Sequence, residues 1–163
     1  MIEGQVYFNS DTSTNAFKVT KYDVPAGTWS SGGSLPTANK SMGTFGTQSS
    51  MIAGGGSTPA PSQTQAYSYN GSTWTEITEL SSSKSEGVGF GNSATSGYLN
   101  RGSTNENWNG SSWTEVNDLN TARERGSGGG SQTAAIAIDG AQAPAPANPD
   151  GVKYTETWDG TSW

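Results

Sequence analysis

The side chains of this chain that could do chemistry are carboxylates, carboxamides and indoles. Among its 163 residues there is no Cys and no His. That removes thiolate nucleophiles, disulfides, the commonest zinc ligands and the usual near-neutral general base. Hydrolysis of a glycoside would then need two acids about 5 to 10 Å apart, one with a raised pKa. Glu76 with Glu79 and Glu115 with Asp118 are such pairs in spacing. They recur at equivalent places of a repeated stretch, whereas a catalytic pair occurs once, so the pattern marks them as repeat surface. Glu124, between Arg123 and Arg125, is more cleft-like, and its flanking charges read first as a salt-bridged rim. Calcium asks for several oxygen ligands in one tight loop. Asp11 to Asn15 and Asn148-Pro149-Asp150 are weak candidates. The chain reads as a non-enzyme, with no catalytic residue, no cofactor and no metal assigned.

The indoles could stack on sugar rings, but their spacing argues for packing. Trp29, Trp74 and Trp113 are each followed six residues later by a leucine (Leu35, Leu80, Leu119) and 27 or 28 residues later by a glycine (Gly56, Gly102, Gly140). Trp163 is a fourth in the series. Self-similarity at a period of roughly 40 to 50 residues signals a repeat architecture in which each unit is one small sheet. Trp29, Trp74, Trp113 and Trp163 are therefore expected to be packing anchors, with Gly56, Gly102 and Gly140 as the structural glycines. Trp108 and Trp158 read as cross-strand partners of the next Trp.

The elements follow from the repeat. Tyr69-Asn-Gly-Ser-Thr-Trp74, Trp108-Asn-Gly-Ser-Ser-Trp113 and Trp158-Asp-Gly-Thr-Ser-Trp163 are one motif. Asn-Gly or Asp-Gly between alternating residues predicts a hairpin with a type I′ turn. The same turn chemistry accounts for the glycosylation sequons at Asn39, Asn70 and Asn109. After each Trp, Thr75 to Leu80 and Thr114 to Leu119 alternate as half-buried strands do. A Gly-rich strand and a small-residue strand such as Thr133 to Ile138 complete four strands per repeat. The expected organisation is an N-terminal β-hairpin adaptor or incomplete unit over 1–29, then three repeats over 30–74, 75–113 and 114–163.

Composition agrees with a packed all-β chain. Hydrophobic residues make up 30%, but the net charge is only −6 and aromatics reach 10% in periodic positions, unlike a disordered chain. Five Lys and three Arg are scattered, which gives no nucleic-acid footprint. No apolar run approaches the ~20 residues of a membrane span, and no basic-then-apolar leader follows Met1. Neither nucleic acid nor membrane insertion is expected.

The order Trp, Leu, Ala-Arg, Gly-rich strand, Gly, aromatic-Asn/Asp-Gly and Trp over about residues 22 to 163 resembles the kelch repeat. The resemblance implies four-stranded antiparallel blades of a β-propeller or part of one. The family's glycine pair survives in Gly54-Gly55-Gly56 and is reduced to Asn100-Arg101-Gly102 and Asp139-Gly140. The wording of Asn109 to Arg123 with Gly130 to Ala137 is similar to kelch-like repeats in virion proteins of marine tailed phages. Glu3 to Ser10 with Asn15 to Val19 is similar to a segment found ahead of such repeats. The resemblance implies a virion structural protein, a tail fibre, tail or decoration component, in contact with other virion subunits or copies of itself and with a host-surface glycan or protein. A cellular lectin or adhesin on the same scaffold is the alternative, with an extracellular surface location.

Binding residues are sought where the repeat varies in length. From Gly56 to Trp74, Gly102 to Trp113 and Gly140 to Trp163 the separations are 18, 11 and 23 residues, so the variation sits between the second and third strands. Loops on a rigid scaffold are where binding usually lives. The candidates are Ser57 and Gln63, then Asn100, Arg101 and Asn105, then Gln142, Asn148, Asp150 and Lys153. The Pro-Ala tracts within these stretches serve equally well as stiff spacers.

Overall fold

The structure is a computed structural model that describes residues 6–9, 16–19, 27–58, 62–142, 151 and 153–163. It divides into two units, Met1–Ser31 and Gly32–Trp163. The first holds one antiparallel hairpin of β1 (Val6–Asn9) and β2 (Ala16–Val19), paired from Val6 with Val19 to Asn9 with Ala16. Trp29 also lies in this unit and is fully exposed at 103%. The expectation that it anchors packing does not hold: it shares the spacing of the other indoles but has nothing over its ring. The acidic turn Asp11 to Asn15 falls outside the described residues, as do Asn148 and Asp150.

The second unit is all-β, and among the described residues there is no helix, hence none long and apolar enough to cross a membrane. Its first sheet is β3 (Gly43–Thr47), β4 (Ser50–Gly54), β5 (Ala66–Tyr69) and β6 (Trp74–Ile77), antiparallel in that order. Its second repeats the pattern with β7 (Val88–Ser93), β8 (Ser96–Arg101), β9 (Thr104–Trp108) and β10 (Trp113–Val116). A two-residue ribbon of β11 (Arg123–Glu124) with β14 (Ala141–Gln142) adjoins a third sheet. That sheet has three strands, β12 (Ser127–Ser131), β13 (Ala134–Ile138) and β15 (Thr155–Trp158).

The three sheets stack face against face, with β3 packed on β7 and β7 on β12. Two apolar layers result. Phe45, Ile52, Leu80, Leu99 and Trp108 fill the layer between the first and second sheets. Phe90, Tyr98, Leu119, Ala135, Ala137 and Trp158 fill the layer between the second and third. The stacking needs bare backbone: a Cβ at Gly89 would run into the Thr44 carbonyl, and one at Gly128 into the Phe90 ring. A sheet covered on both sides also shows in the strand pattern. Trp113 on β10 meets Phe45 of the first sheet edge-on at 6.2 Å, while Val116 packs towards the third. Trp113 and Val116 are half-buried and the two residues between them exposed, so the strand is half-buried as its alternation predicts, with its two covered residues facing opposite neighbours.

The Asn-Gly motifs do form the expected hairpins, but with a different turn. Tyr69 pairs with Trp74 and Trp108 with Trp113, which leaves four residues in each loop rather than two. Only the glycines take positive φ, 92° at Gly71, 97° at Gly110 and 98° at Gly160. The preceding side chain turns inward. Asn70 Oδ1 accepts from the amides of Ser72 and Thr73, Asn109 Oδ1 from Ser111 and Ser112, and Asp159 Oδ1 from Thr161 and Ser162, all at 2.8 to 3.0 Å. A type I′ turn would need φ above zero at both central residues. Here the side-chain cap replaces the first of them.

Trp74, Trp113 and Trp163 do pack against their hairpin partners, with ring centroids 4.9 to 5.4 Å from Tyr69, Trp108 and Trp158. Trp74 Nε1 donates to the Gly33 carbonyl at 3.2 Å and Trp113 Nε1 to Thr78 at 3.0 Å. Trp163 Nε1 is buried without a partner. Replacing Trp113 by Ala should therefore cost about 3 kcal/mol, the lower end for emptying a large aromatic site. Urea unfolding of the variant is the check, and a loss below about 1 kcal/mol would rule out an anchoring role.

Candidate functional site

Of the two acid pairs, Glu76 and Glu115 are exposed, and the other member of each is held. Glu79 Oε2 accepts from Thr64 Oγ1 at 2.5 Å and Asp118 Oδ2 from Ser103 Oγ at 3.1 Å. These are the same contact in successive repeats, as the reading of repeat surface requires. Glu124 is bound to Arg101 at 2.9 Å, and Glu86 to Arg125 at 2.9 Å. The salt-bridged rim expected at Glu124 is present, although its partner is Arg101 and not a chain neighbour.

Two acids that the sequence reading passed over are the best held. Glu106 on β9 accepts from the amides of Ser81 and Ser82, from Ser82 Oγ, and from Lys84 Nζ at 3.2 Å, with both charged side chains 1% exposed. Glu156 on β15 repeats it, accepting from the amides of Asn120 and Thr121, from Asn120 Nδ2, and from Arg123. Burial pushes both carboxyls up. The Ser81 amide and the Lys84 charge outweigh it at Glu106, as the Asn120 and Thr121 amides with Arg123 do at Glu156, and both end below the usual glutamate value. A carboxylate kept ionised by surrounding donors is a clamp on the Leu80–Lys84 and Leu119–Arg123 turns, and it has no proton to give as an acid. In the first repeat the equivalent residues are Pro36, which lacks the first amide, Asn39 in place of the cation, and Tyr67 in place of the acid. The signal was legible: acid, cation and amide are all present or all replaced.

The candidate binding residues scatter. Asn100 and Asn105 are cross-strand partners inside the second sheet and fully buried. There is no loop at this point, since β8 and β9 are joined by Gly102-Ser103 alone. Both are corrected to interior residues. Asn100 Nδ2 reaches the Ser103 and Thr104 carbonyls, while Asn100 Oδ1 and both amide atoms of Asn105 have no partner. Arg101 is tied to the Ser85 carbonyl and to Glu124. Ser57 bridges to Lys40 and Ser62, and Gln63 reaches Thr58 Oγ1. Gln142 and Lys153 are exposed. Gly56, Gly102 and Gly140 all take positive φ (83°, 64°, 107°), which explains their recurrence. The Gly56 and Gly102 amides donate to the carbonyls of Lys84 and Arg123, tying each repeat to the next cation-bearing turn.

Two concave regions stand out. Ser41, Glu86 and Arg125, at matching positions, hold φ of 58°, 60° and 59° and are linked by amide-to-carbonyl bonds, Glu86 to Ser41 and Arg125 to Glu86. With Met42 and Gly87 they line a cleft of about 290 Å³ whose charges are already paired. A larger groove of about 450 Å³ runs between the second and third sheets at the hairpin end, lined by Asn107, Val116, Asn117, Gln132 and Trp158 among others. Among the described residues no group of three or more acids could hold a metal ion.

No family model matches the chain, and no curated protein sequence matches it. It is similar to a solved structure described as "Structure of YjhT", with a TM-score of 0.60 and 13% identity. The match covers 92% of this chain and 47% of the other, so the chain spans about half the length of the structure it resembles. At that identity the likeness concerns the fold alone.

The clamps carry a pH signature. Both carboxyls sit below the value they have in the unfolded chain, so their contribution is complete above about pH 4.3 and is lost as pH falls from there through the folded-state values. Glu106→Gln leaves the Lys84 ammonium buried without its counter-charge and should cost about 3 to 5 kcal/mol near neutral pH. It should also flatten part of the acid decline. Equal slopes for wild type and variant between about pH 5 and 2 would show that Glu106 is not a clamp.

Proposed function

We propose that the chain is a non-enzymatic structural component of a virion, in a tail fibre, tail or decoration. Its repeats act as kelch-like blades of a propeller or part of one, making contact with neighbouring subunits and the host surface. The observation that carries the reading is the uncovered face of the third sheet. Ile136 and Ile138 on β13, and Tyr154 immediately before β15, are 36%, 41% and 58% exposed. In the preceding sheets the positions matching Ile136 are Ile52 and Tyr98, exposed 1% and 3% because the next sheet lies over them. Gly129 takes the place of Phe45 and Phe90 and has nothing within 4 Å of where a Cβ would sit. A bare apolar face with a hollow at the aromatic position suits another sheet of the same repeat, supplied by a neighbouring copy. The acids give no support to a catalytic role: Glu106 and Glu156 are held in clamps, Glu86 and Glu124 in rim pairs, and Glu79 and Asp118 in a contact repeated from one sheet to the next.

Light scattering at micromolar concentration is expected to give a mass of at least two chains of 16.9 kDa. Ile136→Glu should return it to one. A wild-type monomer would remove the assembly reading, and absence of the chain from the proteins of purified particles would remove the virion placement.

A further inference from the structure

The repeats supply an internal control for the groove between the second and third sheets. Its counterpart lies between the first and second sheets, and the residues can be matched through the Trp positions. Where the first groove has Ser68, Thr78 and Ala94, the second has Asn107, Asn117 and Gln132. All three replacements are carboxamides, and all three line the same groove. Packing does not call for them, because the first pair of sheets stacks in the same way with small side chains at these positions.

Two of the amides are held in place. Ser96 Oγ donates to Gln132 Oε1 at 2.6 Å, while the Gln132 carbonyl accepts from Tyr98 Oη at 2.7 Å and Trp158 Nε1 at 3.0 Å. Asn117 Nδ2 donates to the Thr161 carbonyl at 2.7 Å. Gln132 Nε2 and Asn117 Oδ1 are left uncommitted, and the Asn107 amide makes no hydrogen bond among the described residues. The groove thus presents oriented donors and acceptors beside the half-buried Val116 and the buried Trp158. No charged side chain lines it.

We infer that this groove is a binding site for a neutral oligosaccharide. A carboxamide carries a donor and an acceptor on one planar group, which matches neighbouring sugar hydroxyls, each able to donate and accept. The absence of charge selects against acidic sugars, phosphates and ionic peptides. An extended peptide main chain would be read by the backbone of a free strand edge, whereas the free groups here are side chains. A volume of about 450 Å³ lies in the range of small-ligand pockets, about 300 to 1,000 Å³. Recognition here sits at the hairpin end of the sheets, away from the variable connections, and does not depend on the assembly face.

The first groove also dictates the test. The triple variant Asn107→Ser, Asn117→Thr, Gln132→Ala installs side chains that the first groove already tolerates. Wild type and variant would be compared on an immobilised panel of neutral and acidic glycans and on a peptide array. The expected result is retention of one or more neutral glycans by wild type, about tenfold or more weaker in the variant, with unchanged melting. If the variant is unstable, ¹⁵N-NMR of wild type titrated with the best-retained neutral glycan decides. Shifts should appear at the Gln132 side-chain amide and the Trp158 indole N–H and be absent at the Ala94 backbone amide and the Trp108 indole N–H. Failure to retain any neutral glycan, retention unaffected by the swap, shifts confined to other residues, or selection of peptides instead would each overturn the proposal. None of these results bears on the mass measured by light scattering.

Discussion

A sheet of four strands, each four to six residues long, cannot bury an apolar face by itself, and every other feature of the Gly32–Trp163 unit answers that constraint. Phe45 and Phe90 stand on faces that become interior only when the next sheet arrives. Close approach then excludes side chains at Gly89 and Gly128. The middle sheet, covered on both sides, has four consecutive buried residues in β8, from Gly97 to Asn100. Stability in such a stack belongs to the interfaces between neighbours more than to any single repeat.

Stacking fixes which faces meet, and the charged clamps fix where each turn sits on its sheet. Glu106 and Glu156 draw two consecutive backbone amides and a cation from the turn that leads into the next repeat. Each carboxylate thus accepts from backbone amides and from the cation together. The first repeat uses another solution: Pro36 removes one amide, and Asn39 Nδ2 reaches the Gly55 carbonyl as Arg123 Nη1 reaches Asp139. Position is preserved while charge is not. An acid that recurs with its donors is therefore read as architecture, and departures from the repeat are where recognition is sought. The carboxamides between the second and third sheets are one such departure.

The same comparison explains what was legible in the sequence. The strands, four in each of the first two sheets and three in the third, the hairpins and the structural glycines follow from contacts within about fifteen residues of chain, where spacing and turn chemistry are decisive. Asn100 and Asn105 are interior and not loop residues because the short separation between glycine and Trp is a tight turn, not an exposed loop, and lets both strands run on into the interior. Trp29 was misread for the opposite reason: spacing identical to that of its relatives does not supply a neighbouring ring.

By itself the sequence determined an all-β chain of repeated hairpin-bearing sheets without thiol or imidazole chemistry, because residue type and local period are sufficient for strand pairing. Only the tertiary structure decided which acid meets which cation, which face of the third sheet stays bare, and which side chains share a groove. Those depend on residues 20 to 60 positions apart, such as Lys84 with Glu106 and Tyr98 with Trp158. Their proximity is created by sheet-on-sheet packing, and no local pattern encodes it.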